Sequence, residues 1–212
     1  MIKKFNQFFY DDLSVTQGNY FFTLLKGIFI AIYFLIAIVI CELHLLYGLL
    51  TIMVGIFLLK ILKINLFSLK KITLPQIALI IGGTLLLFGL DNIYLYFHET
   101  PKNQQTLENE IKNMPLYFSI LTGAVIPALL EEIIFRGILI RVIFRKHLLL
   151  GLVVSSLAFA SLHESDTWIG YLPYLYSGVI FGLAYLKTRR LEVAILMHFL
   201  NNLSSLFIIL WG

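Results

Sequence analysis

The stretch that decides the fold runs from Leu116 to Ile140 and has the sequence LYFSILTGAVIPALLEEIIFRGILI. It is longer than the about 20 mostly apolar residues that a helix needs to cross the hydrocarbon core of a bilayer. The rest of the chain is similar, because 59% of its 212 residues are hydrophobic and only 13% are charged. A soluble domain usually has about 45–50% apolar and about 25% charged residues. We therefore predict an all-α fold, a polytopic membrane helix bundle, rather than a soluble or disordered chain.

Seven apolar runs are candidates for transmembrane helices. They are Phe21–Cys41, Leu45–Leu62, Ile72–Phe97, Leu116–Ile140, Leu148–Leu162, Tyr171–Leu186 and Leu191–Leu210. The seven runs predict about seven transmembrane helices, with eight as the alternative. The fifth and sixth runs are shorter than the length that a helix needs to cross a bilayer comfortably. Pro127 lies inside the fourth run and is expected to kink its helix, because proline removes a helical hydrogen bond.

Lysine and arginine are concentrated in alternate gaps between these runs. The second, fourth and sixth gaps hold Lys63, Lys70, Lys71, Arg141, Arg145, Lys146, Lys187, Arg189 and Arg190, whereas the other gaps hold only Lys102 and Lys112. Because cytoplasmic loops are enriched in these residues, the pattern predicts a cytoplasmic N-terminus, seven crossings and an external C-terminus. The same bias accounts for the net charge of +4. No basic and aromatic surface stretch indicates a nucleic-acid partner.

This map divides the chain into four segments. Residues 1–20 are expected to form a cytoplasmic or interfacial segment that is retained, because they lack the apolar core of a signal peptide. Residues 21–98 form the N-terminal transmembrane helices and residues 99–114 an external loop. Residues 115–212 form the part that carries the candidate site.

Ionisable residues inside the predicted spans need a reason, because each costs about 2.5–3.5 kcal/mol on insertion scales. Glu132 and Arg136 are four residues apart, so they share a helix face and are expected to form an ion pair. Glu131 points about 100° away from Glu132 and is not neutralised by that pair. A buried, unpaired carboxyl group is suited to act as a general base. For Asp91 a structural role is favoured, such as an interhelical hydrogen bond with Asn92 nearby.

Two histidines in the later runs have partners at the same spacing of four residues. Phe159 lies on the helix face of His163 and is expected to restrict the rotamer of its ring. His198 and Asn202 share a face in the last run, where they are able to bind a metal or to stabilise an oxyanion. Any one of these polar groups has about even odds of merely joining helices, as buried polar pairs often do. The three pairs together are hard to explain in that way.

In this order and spacing, Glu131-Glu132-x-x-x-Arg136, Phe159-x-x-x-His163 and His198-x-x-x-Asn202 resemble the three motifs of the CPBP intramembrane proteases. This family of CAAX proteases and bacteriocin-processing enzymes is also called Abi, and the resemblance covers about residues 116–210. It implies a membrane-embedded endopeptidase, whose catalytic residues would be Glu131, His163, His198 and Asn202. By this analogy Glu131 activates a water molecule with the help of His163, and His198 and Asn202 stabilise the oxyanion. Glu132, Arg136 and Phe159 would orient the site.

Two mechanisms remain open for such an enzyme. In a metalloprotease, Glu131, His163 and His198 would supply the three protein ligands that a catalytic zinc requires. In a glutamate-type enzyme, Glu131 acts on the water without a metal. Because asparagine is an uncommon zinc ligand, an oxyanion role is favoured for Asn202.

The leading hypothesis is a peptidase in a bacterial plasma membrane, with its site open toward the cytoplasm. Its substrate would be a peptide or a membrane-anchored protein, and the resemblance suggests bacteriocin processing or self-immunity. One alternative is a non-catalytic immunity or adaptor protein, whose phenotype would survive loss of Glu131 and His163. Another is a small proton-coupled transporter, since buried Glu and His also build proton relays, although no inverted repeat supports it.

Overall fold

A computed structural model describes residues 8–10, 15–68, 70–112 and 114–211 of the chain. Within this described part there are helices and no strands, which confirms the predicted all-α membrane bundle. The helices are α1 (Tyr20–Leu43), α2 (Leu45–Ile61), α3 (Leu74–Phe97), α4 (Lys102–Ile111), α5 (Leu116–Ile143), α6 (Leu148–Ser161), α7 (Leu172–Thr188) and α8 (Leu191–Trp211). The chain is a multi-pass membrane protein, because large apolar side chains such as Phe22, Met53 and Leu85 remain exposed along these helices, where lipid solvates them.

Each of the seven predicted apolar runs corresponds to one helix. Among the residues that the structure describes, five helices are long and apolar enough to span a bilayer, and α2 and α6 are shorter apolar helices. The fifth run was expected to be short, and α6 has only 14 residues. The expectation for the sixth run was wrong, because a 3₁₀ turn over Ile169–Tyr171 extends α7 to a span of 20 residues.

The predicted external loop over residues 99–114 contains α4. Its residues, KNQQTLENEI, are mostly polar, and most of them are compatible with a helix. A search for apolar runs that insert into lipid therefore does not detect this helix. The helix is fastened to the connection between α6 and α7, since the backbone N–H of Asn103 donates to the Glu164 carbonyl at 3.0 Å. The Lys102 ammonium adds an exposed ion pair with the Glu164 carboxylate at 2.6 Å.

Helix α5 departs from regular α geometry on both sides of its two glutamates. A π-helical turn covers Leu121–Val125, a regular segment covers Ile126–Glu132, and a second π segment covers Ile133–Ile143. Pro127 was expected to kink the helix. Pro127 lies just after the first π turn. Because proline has no backbone N–H, one hydrogen bond of the α-helical pattern is missing there. Because π segments inside α-helices are frequent at functional sites, this irregularity draws attention to Glu131 and Glu132.

The helices before α4 pack directly on those after it. The Tyr20 hydroxyl of α1 donates to the Ile143 carbonyl of α5 at 2.7 Å. The Tyr176 hydroxyl of α7 donates to Asp91 of α3. This is the interhelical hydrogen bond expected for Asp91, although its partner is Tyr176. The side chain of Asn92 instead donates to the Phe88 carbonyl within α3.

Several of the arginines that were used to predict the membrane topology also donate hydrogen bonds to backbone carbonyls. Arg190 donates to the carbonyls of Ser68, Lys70 and Lys71, at distances of 2.6 to 3.2 Å. Arg145 donates to the Gly18 carbonyl at 2.9 Å, and Arg189 to the Phe8 carbonyl at 2.6 Å. The described part of the N-terminal segment is therefore tied to the bundle. The remainder of residues 1–20 lies outside the described residues, and the cytoplasmic placement of the segment remains a prediction.

Candidate active site

The two adjacent glutamates of α5 have different surroundings. The side chains of Glu132 and Arg136 are both fully buried, and Arg136 Nη1 donates to Glu132 Oε1 at 2.7 Å, as the spacing predicts. The same oxygen lies 2.9 Å from His198 Nδ1. Because a carboxylate oxygen accepts, Nδ1 carries the proton and Nε2 is left to face the site. Glu132 therefore joins α5 to α8 and sets the orientation of the His198 ring.

Glu131 lies outside this ion pair. Its Oε2 atom is 3.9 Å from His198 Nε2, which is beyond direct hydrogen-bond distance. This oxygen is buried, and it has no hydrogen-bond partner among the residues that the structure describes. The Glu131 side chain is nevertheless 19% exposed, so its other atoms are accessible. An accessible carboxyl group that faces an imidazole nitrogen is available for chemistry.

His163 lies just beyond the end of α6. Its Nδ1 atom is 2.8 Å from the Phe159 carbonyl oxygen, which only accepts, so Nδ1–H donates and Nε2 is unprotonated in the neutral ring. The Phe159 ring packs against the imidazole with centroids 4.8 Å apart, as expected. Burial lowers the pKa of His163 below its ordinary value, whereas the nearby Glu131 carboxylate opposes that shift.

Phe159 has more partners than the sequence predicts. Its ring lies 5.7 Å from that of His198 and 5.4 Å from that of Phe135, measured between centroids. The Arg136 guanidinium lies 4.8 Å from its centroid, within cation–π distance. This one ring therefore contacts a residue of each of the three sequence motifs.

Asn202 follows His198 by one turn on α8, so the two side chains share a helix face. The Asn202 side chain is half-buried. The structure brings Glu131, Glu132, Arg136, Phe159, His163 and His198 together by contact or electrostatic interaction. Asn202 is placed near these residues only by its position one turn after His198 on α8.

Three residues of α7 contact these side chains and were not predicted. The Tyr174 ring stacks on His163, Phe181 stacks on His198, and the Gly178 carbonyl accepts from Arg136 Nη2 at 2.9 Å. An aromatic or glycine residue in an apolar helix has no distinctive pattern of its own. The only available signal was their spacing of four and three residues, which places them on one helix face.

The predicted zinc ligands do not form a metal site in this arrangement. Across the described ranges, no group of three His, Cys, Asp or Glu side chains is placed to hold a metal ion. The Nδ1 atoms of both histidines are engaged, with the Phe159 carbonyl and with Glu132. These bonds leave Nε2 of both rings free, the atom that a zinc-bound histidine would use, so zinc binding by Glu131, His163 and His198 remains a prediction.

The short length of α6 explains how His163 reaches the other site residues. A helix of 14 residues rises only about 20 Å, so α6 ends inside the span of its longer neighbours. His163 and Tyr174 lie at the end of the bundle that carries α4, opposite the basic residues Arg145 and Lys146. If those basic residues are cytoplasmic, His163 lies toward the external side, whereas the expected opening is toward the cytoplasm, so the side from which substrate enters remains a prediction.

Comparison with known proteins places the three motifs within a described family. Residues 113–204 match the family described as type II CAAX prenyl endopeptidase Rce1-like. The chain is 35% identical over 98 residues to the membrane-embedded CAAX protease MroQ of Staphylococcus aureus (strain USA300), a match that covers 43% of this chain and 38% of that protein. It is 29% identical over 102 residues to YdiL of Bacillus subtilis (strain 168), whose name describes a candidate membrane peptidase.

The match to YdiL covers 48% of this chain and 40% of that relative. The chain therefore aligns with about two fifths of the length of each of these two curated relatives. No solved structure gives a significant match.

Proposed function

We propose that this chain, whose residues 113–204 match the Rce1-like CAAX endopeptidase family, is a membrane-embedded protease of the CPBP family. It hydrolyses a peptide bond with a water molecule that Glu131 activates. One observation carries this proposal. Glu131 Oε2 is buried, has no hydrogen-bond partner within the described part of the chain, and faces His198 Nε2 at 3.9 Å. That separation is one that a single water molecule bonded to both atoms is able to bridge.

In the proposed reaction, the Glu131 carboxylate removes a proton from this water while the water oxygen attacks the carbonyl carbon of the peptide bond. The same carboxyl group then returns the proton to the leaving amine as the bond breaks. A general base of this kind contributes about 10²–10⁴-fold to the rate.

His198 and Asn202 are assigned to the oxyanion of the tetrahedral intermediate. Glu132 accepts the Nδ1–H of His198, which leaves Nε2 as the nitrogen able to donate to the oxyanion when it carries a proton. The Asn202 amide offers a second donor one turn away on α8. We assign His163 the role of orienting the water molecule, since its unprotonated Nε2 is able to accept a hydrogen bond from that water. Fixed donors in a site of low dielectric stabilise a developing charge better than water does.

The substrate class follows from the membrane setting and from the names of the relatives. We propose a peptide or a membrane-anchored protein segment that reaches the site from the α4 end. Bacteriocin processing or self-immunity is the proposed biological setting for a bacterial chain of this size. Comparing farnesylated with unmodified peptides decides whether the substrate carries a prenyl group.

The test uses the full chain purified and reconstituted in lipid vesicles. The probes are a mixture of quenched fluorogenic apolar peptides, offered in unmodified form and with a farnesylated C-terminal cysteine. We expect cleavage that increases with protein and is absent from the Glu131→Ala variant. Cleavage of the farnesylated form alone would assign a prenyl-protein substrate. Equal cleavage by the wild type and the variant would contradict the proposal, and so would cleavage of neither form.

A further inference from the structure

One face of α7 touches all three motifs of the proposed site. Tyr174, Gly178 and Phe181 follow one another by four and three residues, the spacing of a single helix face. The Tyr174 ring lies 4.0 Å from the His163 ring at an interplanar angle of 16°. The Phe181 ring lies 4.6 Å from the His198 ring at 17°. The Gly178 carbonyl accepts a hydrogen bond from Arg136 of the first motif.

Each histidine is thus constrained in two independent ways. A hydrogen bond at Nδ1, to the Phe159 carbonyl for His163 and to Glu132 for His198, fixes the direction of one ring edge. A nearly parallel aromatic ring on α7 fixes the plane of the imidazole. Together these constraints determine where Nε2 points, and Nε2 is the nitrogen that the proposed mechanism uses in both residues. Hydrogen bonds alone would leave each ring free to tilt about the bonded edge.

The two stacks also differ in a useful way. The Tyr174 hydroxyl lies near the side chain of Asn103 on α4, whereas Phe181 carries no polar group. The Phe181 ring lies near the Arg136 guanidinium as well, at 5.4 Å from its centroid. Replacing the tyrosine by phenylalanine therefore separates the contribution of the stack from that of the hydroxyl.

We infer that α7 is the positioning element of the proposed peptidase site, and that Tyr174 and Phe181 are positioning residues for His163 and His198. They act through the imidazole rings and do not touch the peptide. This inference rests on the proposed function. It predicts that loss of a stack lowers kcat about three- to tenfold with little change in KM, the range expected of an aromatic pair.

The first test reads the histidines directly and needs no substrate. Imidazole ¹⁵N spectra of the full chain in lipid nanodiscs report the tautomer of each of its five histidines, and a His163→Gln variant assigns the signal of interest. We expect His163 protonated at Nδ1 in the wild type and in Tyr174→Phe, and a mixture of tautomers in Tyr174→Leu. The matched control is Tyr176→Leu, which removes a nearby α7 tyrosine that bonds Asp91.

Cleavage kinetics on the same variants provide the second test. Tyr174→Phe should retain the wild-type kcat, and Tyr174→Leu and Phe181→Leu should lower kcat at unchanged KM. Tyr176→Leu should reduce thermal stability without this kinetic pattern. The inference is overturned if both leucine variants of the stacks keep the wild-type tautomers and kcat. It is also overturned if Tyr176→Leu changes His163 as strongly as Tyr174→Leu does. A wild type that cleaves nothing would instead refute the proposed function, and the spectra would still test the positioning.

Discussion

At the scale of single residues, the site depends on a difference between two adjacent glutamates. Glu132 is fully buried and accepts from both Arg136 and His198, so its charge is compensated. Both residues keep a buried Oε2 atom without a partner in the described part, but Glu131 points away from the ion pair and its side chain is 19% exposed. The four-residue spacing was enough to predict the ion pair. The bond from Glu132 to His198 was not predictable, because it joins two helices whose relative rotation depends on packing.

Adjacent asparagines on α8 allow a direct test of the proposed oxyanion donor. Asn202 follows His198 by four residues and lies about 40° from it around the helix, whereas Asn201 follows by three and lies about 60° away on the other side. Replacing Asn202 by alanine should lower kcat by about 10²–10³-fold, because one donor to the oxyanion is lost. The measurement is steady-state cleavage by each variant, with thermal unfolding as a check on folding.

Asn201→Ala is the matched control, since it makes the same change one residue earlier. We expect it to retain kcat within a few-fold of the wild type. An equal loss of kcat in the two variants would indicate damage to α8 and would remove Asn202 from the mechanism.

At the scale of elements, the site requires α6 and α7 to lie very close together. A Cβ atom built on Gly178 would lie 3.0 Å from the Ser156 Cα atom, so only glycine fits there without a shift of α6. This close approach lets the Phe159 ring of α6 and the Phe181 ring of α7 meet the same imidazole. The packing of two helices and the geometry of the site are thus parts of one arrangement.

Gly178→Ala should therefore destabilise the protein by about 1–3 kcal/mol, because overpacking forces the backbone of α6 to move. It should also lower kcat, since the Gly178 carbonyl holds Arg136. Gly82→Ala in α3 is the control, because a Cβ atom there meets nothing within 4 Å. That variant should gain up to about 1 kcal/mol from helix propensity. Unfolding in denaturing detergent measures both changes, and equal stability of the two variants would contradict this view of the interface.

The elements also show what a sequence reveals about a membrane protein. Lipid requires long apolar segments, so each of the seven helices α1, α2, α3, α5, α6, α7 and α8 was visible as an apolar run. Helix α4 is polar and outside that rule, so it was mistaken for a loop. The π segments of α5 have no established residue pattern. The role of α7 was hidden because Tyr174 and Phe181 look like ordinary apolar positions until their partners are known.

At the scale of the whole molecule, the basic residues lie at one end of the bundle and α4 at the other. The connection between α6 and α7 belongs to the α4 end, where Glu164 pairs with Lys102. The distribution of Lys and Arg predicts that the basic end faces the cytoplasm. Combined with the structure, it predicts that substrate reaches His163 from the external side.

Single cysteines test this orientation, since Cys41 is the one cysteine of the chain. In a Cys41→Ala background, Glu164→Cys and Lys187→Cys place a thiol at an exposed position on opposite ends. A maleimide that cannot cross membranes should label the Glu164→Cys variant on intact cells and the Lys187→Cys variant only after permeabilisation. The reverse labelling would invert the topology and move the entrance of the site to the cytoplasm.

The central claim is that Glu131, and not Glu132, activates the water, and one paired measurement tests it most directly. Glu131→Gln and Glu132→Gln are each assayed for peptide cleavage and for thermal unfolding in lipid. The account predicts that Glu131→Gln keeps the wild-type unfolding temperature and loses about 10²–10⁴-fold in kcat. It predicts that Glu132→Gln is clearly destabilised, because Arg136 loses its buried counter-charge. A Glu131→Gln variant that still cleaves peptide at the wild-type rate would contradict the account.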